Sequence, residues 1–521
     1  MLPATRSLVV AALAFPGLLA AQAAPKVGPA HGTVIVIGGG ALDATIYAEF
    51  IKSAGGPDAL IVDVPTAGGA ATYTENAPAV AGFKSAGARN IHVLHTTDKK
   101  LADTDSFVAI LKKARGIYFE GGRQFHLVDS YAGTKSETEF MNVLKRGGVI
   151  AGSSAGASIL GDFMVRGAPS NNNFIMDYPG YEKAFAYLKN VGIDQHVVAR
   201  ERLADLADSI IPKFPNLLAI SEDEGTAWVV RGDTAVIIGR NKAFAYNGKA
   251  TDPGKPFLTL FPGDHYNLAT RTVTHRAADE SPVKVAYLDS LFKKYSDPSA
   301  GGATVLIAQN GKVFTAKSYG IPDQPKFMPT TTLPLFPVGN ISETFMGACE
   351  QLPEPRARGG NANPDADPAA APATGAAPAA RGGRGGARQD TRPMTPMRTC
   401  IDGKIATPVG WHKTTTTADN TVMSDVDELY RFALGLDAPR TFIKDTTANG
   451  QSKFDVTKGW TAEPYKGTPR LVAYETPDGK KGAFVRYPDR KATIIILTND
   501  DAADAKALAD RISDKLLAGR K

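Results

Sequence analysis

A chain of 521 residues exceeds one ordinary domain, and 43% hydrophobic with 21% charged residues is a globular composition. The net charge of +6 is small for this length and partly confined to one Arg-rich stretch, which argues against a nucleic-acid binder. No His/Cys cluster has metal-ligand spacing and no Gly-x-x-x-x-Gly-Lys loop occurs, so no metal or nucleotide cofactor is expected.

Residues 1–23 read as an export signal, with Arg6 before an apolar run at 8–20 and Ala21-Gln22-Ala23 at the cleavage spacing. The run is too short to span a bilayer comfortably. The expectation is a periplasmic or secreted protein with no membrane insertion in the mature form.

From residue 32, strand and helix signals alternate. Residues 34–37 form an unbroken apolar run, as in a strand buried on both faces, and end at Gly38-Gly39-Gly40. That glycine run reads as a strand-end turn, since no Gly-x-Gly-x-x-Gly spacing follows. A helix carries Ile46, Phe50 and Ile51 on one face. Further strands are predicted at 60–64, 91–94, 117–119 and 149–150. Ser136 and Glu139 suggest a capping box for a helix whose stripe is Phe140, Val143 and Leu144. This alternation predicts an α/β domain over 24–276 with a mostly parallel sheet, and strand-rich residues 225–275 form its closing edge.

Residues 277–283 read as a linker. A second unit takes 282–352 and 397–521, with a helix at 422–434, a strand at 492–497 and a closing helix at 501–517. Residues 353–396 are almost wholly Ala, Pro, Gly and Arg and are expected to be disordered. Cys349 and Cys400 are the only cysteines and flank this insert. Export favours oxidation and the ends of an insertion lie close, so a disulfide is predicted.

Gly152-Ser153-Ser154-Ala155-Gly156 matches Gly-x-Ser-x-Gly between a strand and a helical run. Such a turn exposes the hydroxyl of Ser154, and the helix start turns backbone N–H groups toward a developing oxyanion. The base is less legible. Eight histidines, at 31, 92, 95, 126, 196, 265, 275 and 412, are available, and periodicity does not choose among them.

Four segments over about 32–250 resemble the cyanophycinase and peptidase E family of serine peptidases. They are the nucleophile run 147–157, Ile193-Asp194-Gln195-His196 with Arg200 and Arg202, Asp223-Glu224-Gly225-Thr226-Ala227, and the loop 116–124. The resemblance implies a three-layer sandwich like class I glutamine amidotransferases. It implies Ser154 as nucleophile, His196 as base and Glu224 as the orienting acid. It also implies an oxyanion hole from Ala155 with Gly121 or Gly122, and substrate binding by Gln124, Arg200 and Arg202. Glu222 and Asp223 are rival acids, read here as part of a solvated turn. Asp205 stands where the family usually has a third Arg. The substrate expected is therefore an Asp-containing peptide, with the β-Asp-Arg units of cyanophycin as one candidate. No nucleic-acid partner is expected, and a homodimer is left open.

The second unit resembles serine β-lactamases and penicillin-binding proteins in its first hairpin at 302–313, the segment 336–345 and the last strand at 492–499. It lacks their chemistry: Asn340 and Glu343 stand at the Ser-x-x-Lys positions, and no Lys-Thr-Gly or His-x-Gly precedes the last strand. It reads as a degenerate α+β domain. The rival reading for the chain is a non-catalytic periplasmic binding protein built from two retired hydrolase domains.

Overall fold

The computed structural model describes residues 24–518 apart from 43, 76, 171, 298–299, 321–333, 353–394 and 439–453. The expected export signal and nearly all of the expected disordered insert lie outside the described residues. Thr395 is described and caps a helix at Pro396–Cys400, so residues 395 and 396 do not belong to the expected disordered insert.

Thirteen strands build the first part of the chain. They are β1 (Thr33–Ile37), β2 (Ile61–Val64), β3 (Ile91–Val93), β4 (Gly116–Phe119), β5 (Val149–Ser153), β6 (Val191–Gln195) and β7 (Leu218–Glu222). Then come β8 (Thr226–Arg231), β9 (Thr234–Gly239), β10 (Ala243–Tyr246), β11 (Phe257–Leu260), β12 (His265–Asn267) and β13 (Thr272–His275). Nine form one sheet in the order β13-β12-β9-β8-β1-β5-β4-β2-β3, and four form a second, β11-β10-β7-β6.

The expected mostly parallel sheet is corrected to a mixed one. Strands β1, β5, β4, β2 and β3 run parallel, but β8, β9, β12 and β13 extend the sheet antiparallel. The reason is connection length: only Gly232 and Asp233 separate β8 from β9, and so short a link joins only antiparallel neighbours.

Both faces of the parallel strands are covered, which is why their sequences are unbroken apolar runs. Val34 and Val36 point into one core with Leu127, Tyr131, Phe140 and Val143 from two helices. Ile35 and Ile37 point into the opposite core with Ile46, Phe50, Val80 and Phe83. Each such side chain fully removed from water contributes roughly 1.5–3 kcal/mol. The helix Lys135–Lys145 is uncapped by side chains; Ser136 instead donates to the Ala102 carbonyl, so the expected capping box is not formed.

The second part of the chain has its own sheet and two further cores. Its strands are β14 (Gly302–Gln309), β15 (Lys312–Gly320), β16 (Phe336–Pro337), β17 (Thr415–Thr416), β18 (Val422–Ser424), β19 (Thr461–Ala462), β20 (Leu471–Tyr474), β21 (Gly482–Tyr487) and β22 (Ala492–Thr498). Six of them form an antiparallel sheet in the order β15-β14-β22-β21-β20-β19. The β14–β15 hairpin turns at Asn310-Gly311, both at positive φ as a two-residue hairpin requires. The helix expected at 422–434 begins later, at Val426, because residues 422–424 pair as β18 and Asp425 caps the helix by accepting from the Glu428 N–H. Cys349 and Cys400 are joined in a disulfide with Cα atoms 5.6 Å apart.

The expected linker is a packed connection. Ala277–Glu280 makes one 3-10 turn, and Ala277, Ser281 and Val283 are buried. Asp264 holds it by accepting from Arg276 and from the Ala277 N–H. The two parts also touch directly: Phe261 packs on the second part's core, and Lys242 pairs with Asp427.

Candidate active site

The topology delivers four chain segments to one place. Ile37 lies opposite Ser153 in the β1–β5 pair, so the turn Gly38-Gly39-Gly40 adjoins Ser154. Ile37 also lies opposite Ala227 of β8, which brings the turn at 223–225 to the same end. Gln195 pairs with Glu222, so the residues that follow β6 and β7 emerge side by side. This is the C-terminal end of parallel strands, where open α/β sheets bind ligands.

Ser154 sits between β5 and the helical turn Ala155–Ser158, at φ +56°. Its flanking glycines leave no room for a side chain: a Cβ on Gly152 would lie 1.8 Å from the Gly156 carbonyl, and one on Gly156 would lie 2.1 Å from that of Phe119. The Ser154 hydroxyl donates to His196 Nε2 at 2.8 Å, and His196 Nδ1–H donates to Glu224 Oε1 at 2.6 Å. Burial alone would raise the Glu224 carboxyl, but hydrogen bonds from His196 and then His412 outweigh it and hold it well below the usual range. A hydroxyl, an imidazole and an ionised carboxylate in this order can move a proton off the hydroxyl and stabilise the resulting imidazolium.

A cavity of about 450 Å³ opens beside Ser154, lined by Tyr47, Tyr73, Tyr118, Glu120 and Gly121 among others. Asp63 is fully buried nearby; burial and the Glu120 carboxylate push its carboxyl well up.

Residues 34–238 match peptidase family S51. A cyanophycinase from Geminocystis herdmanii (strain PCC 6308) is 30% identical over 232 residues, covering 43% of this chain and 84% of that protein. The chain belongs to peptidase family S51. Among solved structures, a peptidase from an acI-B1 Actinobacterium is 25% identical, with a TM-score of 0.37, covering 46% of this chain and 97% of that one. A β-lactamase from Mycobacterium bovis is 14% identical, with a TM-score of 0.24, covering 42% of this chain and 94% of that one.

In this member of family S51, the remaining site residues named from sequence are placed unevenly. Gly121 lines the cavity, Gly122 packs on the Ala67 backbone, and Ala155 directly follows Ser154. Gln124 does not reach the cavity: it is 3% exposed, and its amide donates to the Val165 carbonyl at 2.5 Å. Neither Arg200 nor Arg202 lines the cavity. Arg202 is buried, and burial and the Arg166 guanidinium both disfavour its charge.

Glu222 and Asp223 do not form a solvated turn; both are fully buried. Glu222 ends a core strand, and burial and the Asp194 carboxylate push its carboxyl well up. Asp223 accepts from the Val198 and Ala199 N–H groups and from Asn241, which ties down the segment after His196.

Asp205 is likewise not free in the site. Arg166 donates to it at 2.5 Å while pairing with Asp194 through two bonds of 2.8 Å. Asp205→Arg should therefore not restore a family pattern. It should set a guanidinium against Arg166 and Arg202, with an expected loss of about 1–2 kcal/mol in chemical denaturation. An unchanged denaturation midpoint would overturn this account of Asp205.

Two features escaped the sequence reading. A Cβ on Gly39 would lie 2.3 Å from the His196 ring, and one on Gly40 would lie 2.3 Å from the Glu224 carboxylate. The glycine turn is thus the wall against which both side chains rest, and its only sequence signal is the run of three glycines. The other feature is His412, whose Nε2 lies 3.3 Å from Glu224 Oε2.

Proposed function

We propose that the protein is an exported serine peptidase that hydrolyses Asp-containing peptides through an acyl-enzyme, with β-Asp-Arg as the leading substrate. The observation that carries the reading is the unbroken contact from Ser154 through His196 to Glu224. Ser154 Oγ attacks the scissile carbonyl as His196 Nε2 takes its proton. The N–H of Ala155 and that of Gly121 or Gly122 receive the oxyanion. His196 returns the proton to the leaving amine, and water then hydrolyses the ester by the same route. A cavity with Glu120 and three tyrosines suits a cationic substrate arm such as that of Arg.

The first part of the chain is read as a class I glutamine amidotransferase-like sandwich. The second is read as a β-lactamase-like domain without its catalytic groups. Asn340 there lies in a 3-10 turn with its N–H bonded to the Glu475 carbonyl, and Glu343 opens the next helix.

A fluorophosphonate probe should label the purified protein at Ser154, and a panel of β-Asp and α-Asp dipeptides should be cleaved, β-Asp-Arg fastest. A protein that takes no label and cleaves no dipeptide would be the binding protein built from retired hydrolases.

A further inference from the structure

We propose that His412, carried by the second part of the chain, is a positioning residue for the active site of the first. It holds the oxygen of Glu224 that His196 leaves free. The inference rests on reading Ser154, His196 and Glu224 as the triad.

A carboxylate held through one oxygen can still turn about its terminal torsion, which is broad and nearly two-fold. Here each oxygen has its own imidazole: Oε1 takes His196 Nδ1–H at 2.6 Å, and Oε2 lies 3.3 Å from His412 Nε2. Two imidazoles on two elements fix the plane of the carboxylate, and with it the ring that must face Ser154. The pull of both imidazoles also opposes protonation of Glu224, which burial would otherwise favour.

The position of His412 is built. The N–H groups of His412, Lys413 and Thr414 all donate to the Glu428 carboxylate, at 3.1, 3.3 and 3.0 Å, and the Thr414 hydroxyl adds a bond of 2.9 Å. Glu428 is 1% exposed and pairs with Arg431, which also donates to the Gly410 carbonyl at 2.6 Å. The loop is clamped to the site as well. Arg240, from the first part, donates to the carbonyls of both Ala41, beside the glycine turn, and Pro408. Gly410 lets the loop approach, since a Cβ there would lie 2.9 Å from Arg240 Nη2. The His412 side chain is 27% exposed, so it can be replaced without opening a core.

The test uses the full-length protein and a fluorophosphonate, measuring the maximal inactivation rate and the probe's apparent affinity separately. His412→Ala should slow inactivation about tenfold with affinity changed less than about twofold, because the lost bond serves the nucleophile and not the binding pocket. His412→Gln, whose amide N–H can reach the same oxygen, should recover most of the rate. The downfield proton resonance of the His196–Glu224 hydrogen bond should move in the Ala variant and return in the Gln variant. An Ala variant with wild-type rate and an unmoved resonance would overturn the proposal. So would a Gln variant as slow as Ala with an unchanged melting midpoint. Wild-type protein that takes no label sinks the peptidase reading instead, and the resonance then decides the His412 contact by itself.

Discussion

Ser154→Ala is expected to abolish hydrolysis and fluorophosphonate labelling while leaving the fold intact. The loss should be on the order of 10⁶ in kcat, the usual cost of removing a triad nucleophile. The fold should survive because the change removes one oxygen, and alanine meets the same backbone strain as serine at φ +56°. The backbone bond from Ser154 N–H to the Ile37 carbonyl, at 3.0 Å, is retained. His196→Ala should match the loss, since nucleophile and base act as one unit. Ser153→Ala should cost far less, because Ser153 ends β5 and lines the cavity but is not the hydroxyl bonded to His196. The measurement is turnover of the best dipeptide by each variant. Full activity in Ser154→Ala would sink the mechanism.

The largest expected loss of stability is in Asp194→Ala, at roughly 3–5 kcal/mol in chemical denaturation. Asp194 is fully buried and Arg166 is 1% exposed, and two bonds of 2.8 Å join them. Removing the carboxylate leaves a buried guanidinium with, among the described residues, Asp205 alone, itself about one-third exposed, to balance its charge. Because Asp194 lies two residues before His196, activity should fall as well. The double variant Arg166→Met with Asp194→Leu should lose less stability than Asp194→Ala, since no unpaired charge remains. A loss below about 1 kcal/mol in Asp194→Ala would refute the argument.

The parallel strands and the Ser154 elbow were legible in the sequence because each depends on neighbours along the chain. An unbroken apolar run such as Val34 to Ile37 is demanded by two covered faces, and the elbow needs its glycines within two residues of Ser154. The hairpin at Asn310-Gly311 was legible for the same local reason. The contacts of His196 with Ser154 and Glu224 were legible only through resemblance, because eight histidines look alike until the fold sets one beside Ser154.

What the sequence by itself determined is an α/β unit with a Gly-x-Ser-x-Gly turn at Ser154, followed by a second unit with no Ser-x-x-Lys motif at residues 340–343. Tertiary structure alone decided the partners of the charged and small residues. Asp205 is taken by Arg166, Asp223 ties down the turn after His196, and Gly39 and Gly40 form the wall of the site. It also decided that His412 of the second unit reaches Glu224 of the first. The physical reason is the same in each case. Propensity and periodicity act over a few residues, whereas a hydrogen bond or a steric contact depends on which distant segments the packed sheets bring together.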